Sequence, residues 1–244
     1  MNGDWFAAAE RGDEETLARL IERGIEVDTP GDFGWTALMI AVWGRRLETA
    51  RWLLSRGADP NREANQHTAM TYGALWARGW QIEAGRCFAK LEPDARFLDL
   101  LMTAGGRIGL REAILLGDAG MARRIIDEDD SIDINGESEF GMHDTFLMLA
   151  AHVGPVAMVD LLLDKGAEVE GVDDLGGTAL MIASEMGRVD IVNRLIDRGA
   201  NVNVGWPFDT ALHRADRNGH TEITTCLLSR GAKWGERDTI DQGS

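Results

Sequence analysis

Residues 36–41 read TALMIA, and the same six letters return at residues 178–183. Looser copies begin at Thr145 (TFLMLA) and at Thr210 (TALHRA). In every copy a glycine stands 21 residues after the threonine, and these glycines are Gly57, Gly166, Gly199 and Gly231. A pair of aliphatic residues precedes each glycine by a few positions. A motif that returns with the same internal spacing indicates a repeat architecture, in which each unit packs on its neighbours.

Each position of the motif has a physical reason. The threonine hydroxyl can accept a hydrogen bond from a free backbone N–H at the start of a helix. The small residue five positions later lets the two helices of a unit approach closely, and the aliphatic pair fills the space between adjacent units. The closing glycine can adopt a positive φ and end the second helix. The Asp- and Asn-rich segment after it is expected to turn into a hairpin-like finger.

This unit resembles the ankyrin repeat, whose period is about 33 residues. The resemblance, with three weaker copies, implies an all-α solenoid of about seven helix-turn-helix units. We number them repeats 1 to 7, and they start near residues 3, 36, 68, 108, 145, 178 and 210. A single solenoid is therefore expected over residues 1–235, followed by a polar tail at 236–244. Trp5 occupies an apolar motif position and is expected in the core.

Repeat 3 is longer than the others. Counted from Thr68, its closing glycine is expected at position 89 but stands at Gly105, so about 16 residues are inserted. The insert covers about residues 79–94, and its apolar residues Ala84, Cys87, Phe88 and Leu91 recur at helical spacing before a proline. This spacing predicts a short extra helix. The helix either borders the binding face, as a lid or wall, or packs on the repeats without a role in binding.

The segment between repeats 4 and 5 is strongly acidic. Residues 127–130 read DEDD, and Asp133, Glu137 and Glu139 follow. Such a segment either meets a basic partner or is a solvated surface.

The composition narrows the class of protein. A formal net charge of −16 disfavours binding to nucleic acid or to anionic lipid, because like charges repel. Two cysteines are too few for a disulfide framework, and neither a secretory signal nor an apolar stretch of membrane-spanning length is visible. We expect a cytoplasmic, monomeric protein with a protein partner, and the net charge favours a basic partner.

Partners of ankyrin proteins usually dock on the concave side, formed by the finger tips and the first helix of each unit. The resemblance implies exposed positions one and three residues before the unit threonine, and seven and eight after it. These positions and their neighbours predict the partner-binding residues Phe33, Trp35, Trp43, His67, Trp76, Met142, Asp144, His152, Glu185, Met186, Trp206, Asp209 and Arg217. The aromatic residues of repeats 2 and 3 can form one apolar patch of the kind found at interfaces. Alternatively, their rings pack on each other or under the insert.

Catalytic signatures are missing from the sequence. The five histidines are scattered over the repeats, and neither a phosphate-binding G-x-x-x-x-G-K-[ST] loop nor a G-x-S-x-G elbow occurs. We expect no enzyme activity, cofactor or metal. The predicted function is a protein–protein interaction module, an adaptor or inhibitor, that binds through an acidic and aromatic concave face. The alternative is a solenoid whose Trp-lined pocket, near Trp43 and Trp76, binds or acts on a small molecule.

Overall fold

The computed structural model describes residues 2–64, 67–78, 80–83, 86–90, 93–138 and 144–234. The chain divides into two compact units, Met1–Leu116 and Gly117–Ser244, and each is described by itself. The single solenoid over residues 1–235 therefore stays a prediction, and the tail at 236–244 lies outside the described residues.

The first unit holds the helices of repeats 1 to 3, the first helix of repeat 4 and a β-hairpin. Its elements are α1 (Asn2–Arg11), α2 (Glu14–Glu22), a 3-10 turn (Asp32–Gly34), α3 (Ala37–Trp43), α4 (Leu47–Ser55), α5 (Ala69–Arg78), β1 (Trp80–Glu83), β2 (Arg86–Lys90), α6 (Arg96–Thr103) and α7 (Leu110–Leu116).

The second unit continues the same alternation. Its elements are α8 (Ala119–Glu128), α9 (Phe146–Val153), α10 (Val156–Asp164), α11 (Ala179–Glu185), α12 (Val189–Asp197), β3 (Gly205–Trp206), β4 (Asp209–Thr210), α13 (Ala211–Arg217) and α14 (Thr221–Ser229). Within the described residues, fourteen α-helices thus follow one another along the chain at the positions of the seven repeats, two for each repeat. The predicted all-α architecture is confirmed. In these residues, none of the helices has the length and apolar character needed to cross a membrane.

The motif threonines begin the first helices as predicted. The hydroxyl oxygens of Thr36, Thr145 and Thr178 each accept the backbone N–H three residues ahead, at 3.3 Å. Thr210 differs, because its hydroxyl lies 2.9 Å from Nδ1 of His213. The hydrogen bonds satisfy backbone donors that the helix itself leaves free.

Repeat 4 lacks the threonine and uses another device. The carboxylate of Glu112, in the first turn of α7, accepts the backbone N–H of Gly109 at 3.0 Å and the hydroxyl of Thr71 at 2.7 Å. The glutamate thus satisfies a different free donor from the threonines, the N–H of the residue that precedes the helix.

The aliphatic pairs of the second helices are only half buried, contrary to the prediction that both members fill the space between repeats. The first members, Leu53, Leu162, Leu195 and Leu227, are all 0% exposed. The second member is partly exposed in the four repeats, and Leu228 reaches 43%. Successive residues of a helix point about 100° apart, so one apolar groove cannot receive both. Each closing glycine then ends the helix at a positive φ, for example 90° at Gly57 and 97° at Gly199.

Neighbouring fingers are joined by side-chain amides and, at Asp28 and Glu170, by carboxylates. Asn61 accepts the backbone N–H of Arg107 at 2.7 Å and donates to the carbonyl of Gly105 at 3.0 Å. Asn135 and Asn203 make the same two bonds to the next finger of the second unit. A carboxamide can do both because it carries a donor and an acceptor. We call this row of contacts the finger ladder.

The insert of repeat 3 is a β-hairpin, so the predicted extra helix is wrong. β1 and β2 pair antiparallel, from Trp80 opposite Lys90 to Glu83 opposite Arg86, with a bulge after Gln81. Residues 80–83 read WQIE, an apolar–polar alternation with the period of a strand, and Gly85 interrupts the proposed helical run. Two of the residues used for the helical prediction, Ala84 and Leu91, lie outside the described residues.

The hairpin returns to the repeats at Asp94. Its backbone N–H donates to the carbonyl of Trp76 at 2.7 Å, and its carboxylate accepts from Arg96 at 2.8 Å and from Arg45 at 3.4 Å. The hydrogen bond from Arg96 is the main cause that lowers the pKa of Asp94 to about 2. The contacts fix the start of α6 against repeat 2.

Candidate binding face

Aromatic side chains of repeats 2 and 3 pack together in the first unit. The rings of Trp35 and Trp43 lie 6.1 Å apart, and Tyr72 lies 5.1 Å from the first and 5.4 Å from the second. Trp43 also lies 6.1 Å from Trp76, and His67 stacks on Tyr72 at 6.0 Å. We call these five residues the aromatic cluster. Four of them were predicted to bind a partner, and the structure brings these four together.

The buried side of the aromatic cluster is formed by Tyr72 and Trp76, each 4% exposed. The indole N–H of Trp76 donates to the carbonyl of Val42 at 2.8 Å, and the guanidinium of Arg45 lies 5.2 Å from the ring centre. The exposure predicted for Trp76 is therefore wrong. α5 packs against α3, α6 and α7, so it is covered on more sides than the spacing rule assumes. Burial also raises the pKa of the Tyr72 phenol.

The outer side of the aromatic cluster meets the finger of repeat 2. Phe33 is 79% exposed and has a φ of 58°, which is unusual for a residue with a side chain. A cleft of about 240 Å³ lies beside it, lined by Phe6, Gly31, Asp32, Phe33, Trp35 and Ile40. Pockets for small molecules usually measure about 300–1,000 Å³. The cleft is small for such a ligand, and Trp43 and Trp76 do not line it.

Charged side chains of repeats 6 and 7 form a second group. Arg214, only 9% exposed, donates to Asp209 through Nε at 3.0 Å and Nη2 at 2.8 Å, and to Glu185 at 3.0 Å. Arg217 donates to the same Asp209 at 3.1 Å. We call these four residues the charged cluster. Three of them were predicted from the sequence, and Arg214, which joins them, was not.

The charge of the cluster is internally balanced. Partial burial of Asp209 favours its neutral form, but the hydrogen bonds and charges of Arg214 and Arg217 outweigh this effect and lower the pKa of Asp209. A sequence signal for Arg214 existed, because it is the fourth residue after the unit threonine, where repeats 2 and 6 carry Ile40 and Ile182.

Four exposed apolar side chains lie on the fingers of repeats 6 and 7. Trp206 is 67% exposed, Phe208 59%, Val172 54% and Leu175 52%. The indole N–H of Trp206 donates to the carbonyl of Leu175 at 3.2 Å, which holds the ring against the preceding finger. We call Val172, Leu175, Trp206 and Phe208 the fingertip platform. Of these residues, only Trp206 was among the predicted binding residues.

The other predicted residues are dispersed. His152 and Met186 are partly buried at the ends of first helices, and the carbonyl of His152 accepts from Arg188 at 2.7 Å. The carbonyl of Asp144 accepts the backbone N–H of Ser138 at 2.6 Å. Met142 lies outside the described residues.

Family models for ankyrin repeats match most of the chain. A model of three copies matches residues 110–205, a model of many copies matches residues 6–54, and a single-repeat model matches residues 209–239. The chain belongs to the ankyrin-repeat family. Ankyrin repeats are generally protein–protein interaction modules, and proteins built from them are typically non-enzymatic scaffolds.

Similar ankyrin proteins occur in bacteria and animals. The chain is 25% identical over 181 residues to a putative ankyrin repeat protein, YahD, of Escherichia coli, covering 73% of this chain and 87% of that one. It is 28% identical over 180 residues to the ankyrin repeat and SAM domain-containing protein 6 of Danio rerio, covering 69% of this chain and 22% of that one. It is 37% identical over 76 residues to the ankyrin repeat, SAM and basic leucine zipper domain-containing protein 1 of Loxodonta africana, covering 31% of this chain and 16% of that one. The chain thus spans less than a quarter of these two animal relatives.

A solved structure has the same fold. The ankyrin repeat domain of human ASB11 superposes with a TM-score of 0.52 at 22% identity, covering 93% of this chain and 97% of that one. The predicted ankyrin-repeat solenoid is confirmed as the fold class.

Proposed function

We propose that this ankyrin chain is an adaptor or inhibitor that binds a partner protein through its finger tips and first helices. The distribution of exposed apolar side chains supports this function best. The described residues contain eight exposed large hydrophobic side chains, and five lie in fingers: Phe33, Val172, Leu175, Trp206 and Phe208. A sixth, Trp234, follows the last repeat.

The exposed rings favour a protein partner. Exposing tryptophan and phenylalanine to water is unfavourable, and large aromatic side chains often dominate the binding energy of interfaces. The fingers hold these rings beside charged groups, such as Asp209 and Arg217, which can form the polar rim of an interface.

The small-molecule alternative has less support. Its pocket was expected near Trp43 and Trp76, but the Trp43 ring packs on the rings of Trp76 and Tyr72. The function proposed for this chain is protein binding without catalysis.

Affinity capture with matched variants tests the proposal. The wild-type chain, Phe33→Ala and Trp206→Ala are immobilised, and proteins retained from a lysate of the source organism are quantified by mass spectrometry. Met102→Ala and Leu228→Ala are the controls, because these residues are equally apolar and exposed at 44% and 43%, but lie on second helices.

We expect at least one protein that the wild type and both controls retain and that a finger variant loses at least about tenfold, the effect of roughly 1.4 kcal/mol. Equal retention by all five chains, or no retained protein, would contradict the proposal.

A further inference from the structure

The negative charge of the chain is concentrated in one stretch of the second unit. Residues 125–187 contain fifteen aspartates and glutamates but one basic residue, Lys165, which gives a net charge of −14. The whole chain has a net charge of −16, so the remaining residues are almost neutral together. The stretch comprises the fingers before repeats 5 and 6.

Acidic residues of this stretch have two kinds of partner. On the helices, Asp160 pairs with Arg194 and Arg198, Asp127 with Lys165, and Glu185 with Arg214. In the fingers, Asp133 and Asp173 accept backbone N–H groups at 3.0 and 2.8 Å. Bonds to neutral amides orient a carboxylate without cancelling its charge, so these bonds do not compensate the negative charges of Asp133 and Asp173.

The finger ladder places this charge beside the fingertip platform. The side chain of Asn135 accepts the N–H of Glu168 at 2.8 Å, and the carboxylate of Glu170 accepts the N–H of Asn201 at 2.6 Å. Three successive fingers therefore lie side by side, two acidic and the third carrying Trp206.

A hydrogen bond holds the ring of Trp206 against the preceding finger. Its N–H is bonded to the carbonyl of Leu175, yet the side chain remains 67% exposed. A ring that is fixed before binding loses less conformational entropy when a partner covers it.

We infer that the fingertip platform anchors an apolar side chain of a partner segment rich in lysine and arginine, whose cations lie along the two acidic fingers. The inference rests on the proposed protein-binding function and names the chemistry of the partner. Charge complementarity selects a cationic segment and repels acidic ones, while the platform supplies apolar contact that a charged surface lacks. Nucleic acids and anionic membranes carry the wrong sign of charge.

Three labelled peptides of equal length test the inference on the full chain by fluorescence anisotropy. The first alternates lysine and arginine with leucine and tryptophan, the second replaces every basic residue by glutamate, and the third replaces every apolar residue by serine. We expect the first peptide to bind tightest, with an affinity that falls as salt is added.

Variants locate the contact. Trp206→Ala should weaken binding of the first peptide by about thirty-fold, the effect of a hot-spot residue. Leu228→Ala, an equally apolar change on α14, should leave it unchanged. The double variant Asp130→Asn, Glu168→Gln should flatten the salt dependence, whereas Asp190→Asn, Glu222→Gln, on exposed positions of second helices, should not. Circular dichroism melting verifies that each variant is folded.

Two results overturn the inference: the acidic peptide binds as tightly as the basic one, or the affinity for the first peptide is the same for Trp206→Ala and Leu228→Ala. If affinity capture nevertheless yields a protein that depends on the fingers, the proposed function stands and only the partner chemistry is wrong. If neither capture nor any peptide shows binding, both fail.

Discussion

The hydroxyl of Ser184 lies in the core of the second unit. Ser184 is 0% exposed on α11, and its hydroxyl oxygen has no hydrogen-bond partner among the described residues. The same position of repeats 3 and 5 is occupied by Ala74 and Ala151, both 0% exposed. A buried hydroxyl without a partner costs free energy, because it has lost its hydrogen bonds to water.

We therefore predict that Ser184→Ala raises the free energy of unfolding by about 1 kcal/mol, since it removes this cost with little change in volume. Urea unfolding measures the change. Ser55→Ala is the control, because the Ser55 hydroxyl is exposed and bonded within its own helix, to the carbonyl of Trp52. A lower stability for Ser184→Ala would show that the hydroxyl is satisfied in solution.

Asp28 is a second irregular residue. It stands in the first finger, where the ladder elsewhere uses Asn61, Asn135, Glu170 and Asn203, and it accepts the N–H of Asp59 at 3.0 Å. Burial is the largest cause that raises the pKa of Asp28. Because the folded pKa exceeds the unfolded value of about 3.9, ionised Asp28 destabilises the fold. This penalty is absent below the unfolded pKa and complete above the folded one.

We predict that Asp28→Asn stabilises the chain by about 0.5–1.5 kcal/mol at pH 7, because the amide carries no charge and can donate to the carbonyl of Gly57, as Asn61 does to Gly105. The gain should shrink near pH 3, where Asp28 is largely protonated. Urea unfolding at the two pH values checks both statements, and a gain independent of pH would rule out the role of the charge.

At the scale of elements, the two members of an aliphatic pair should contribute differently to the free energy of unfolding. We predict that Leu162→Ala lowers the free energy of unfolding by about 2–5 kcal/mol, because Leu162 is fully buried and its loss leaves a cavity between repeats. Leu163→Ala should cost clearly less, since Leu163 is partly exposed. Chemical denaturation of both variants provides the comparison, and equal losses would contradict the burial difference.

The helices and the hairpin also show which structural features could be predicted from the sequence. The helix starts at Thr36 and Thr178 were predictable because a local hydrogen bond determines them. The hairpin at residues 80–90 was not, since its short run fits the helical period as well as the strand period. The positions counted from the unit threonine included Trp43 and Asp209. They missed Tyr72 and Arg214, which are buried and contact the predicted residues from the core side.

For the whole molecule, the uneven charge should affect stability. Like charges along residues 125–187 repel one another in the folded state more than in the expanded chain. Salt shortens the range of this repulsion, from about 30 Å at 0.01 M to about 8 Å at 0.15 M.

We predict that raising sodium chloride from about 0.01 to 0.15 M increases the melting temperature by roughly 2–4 °C, equivalent to about 1 kcal/mol. Calorimetry or circular dichroism measures it. The increase should be smaller for Asp130→Asn, Glu168→Gln than for Asp190→Asn, Glu222→Gln. A melting temperature that falls with salt would mean that ion pairs such as Asp160–Arg194 outweigh the repulsion.

In the first unit, the finger ladder has fewer hydrogen bonds at its N-terminal end. Asn61 fastens the following finger by two hydrogen bonds to Arg107 and Gly105, whereas Asp28, a pure acceptor when ionised, binds only the N–H of Asp59. Within the first unit, the first contact of the row therefore involves one backbone group of the next finger, whereas the second contact involves two. Amide hydrogen exchange should be faster at Asp59 than at Arg107, and opening of the fingers should begin at the N-terminal end.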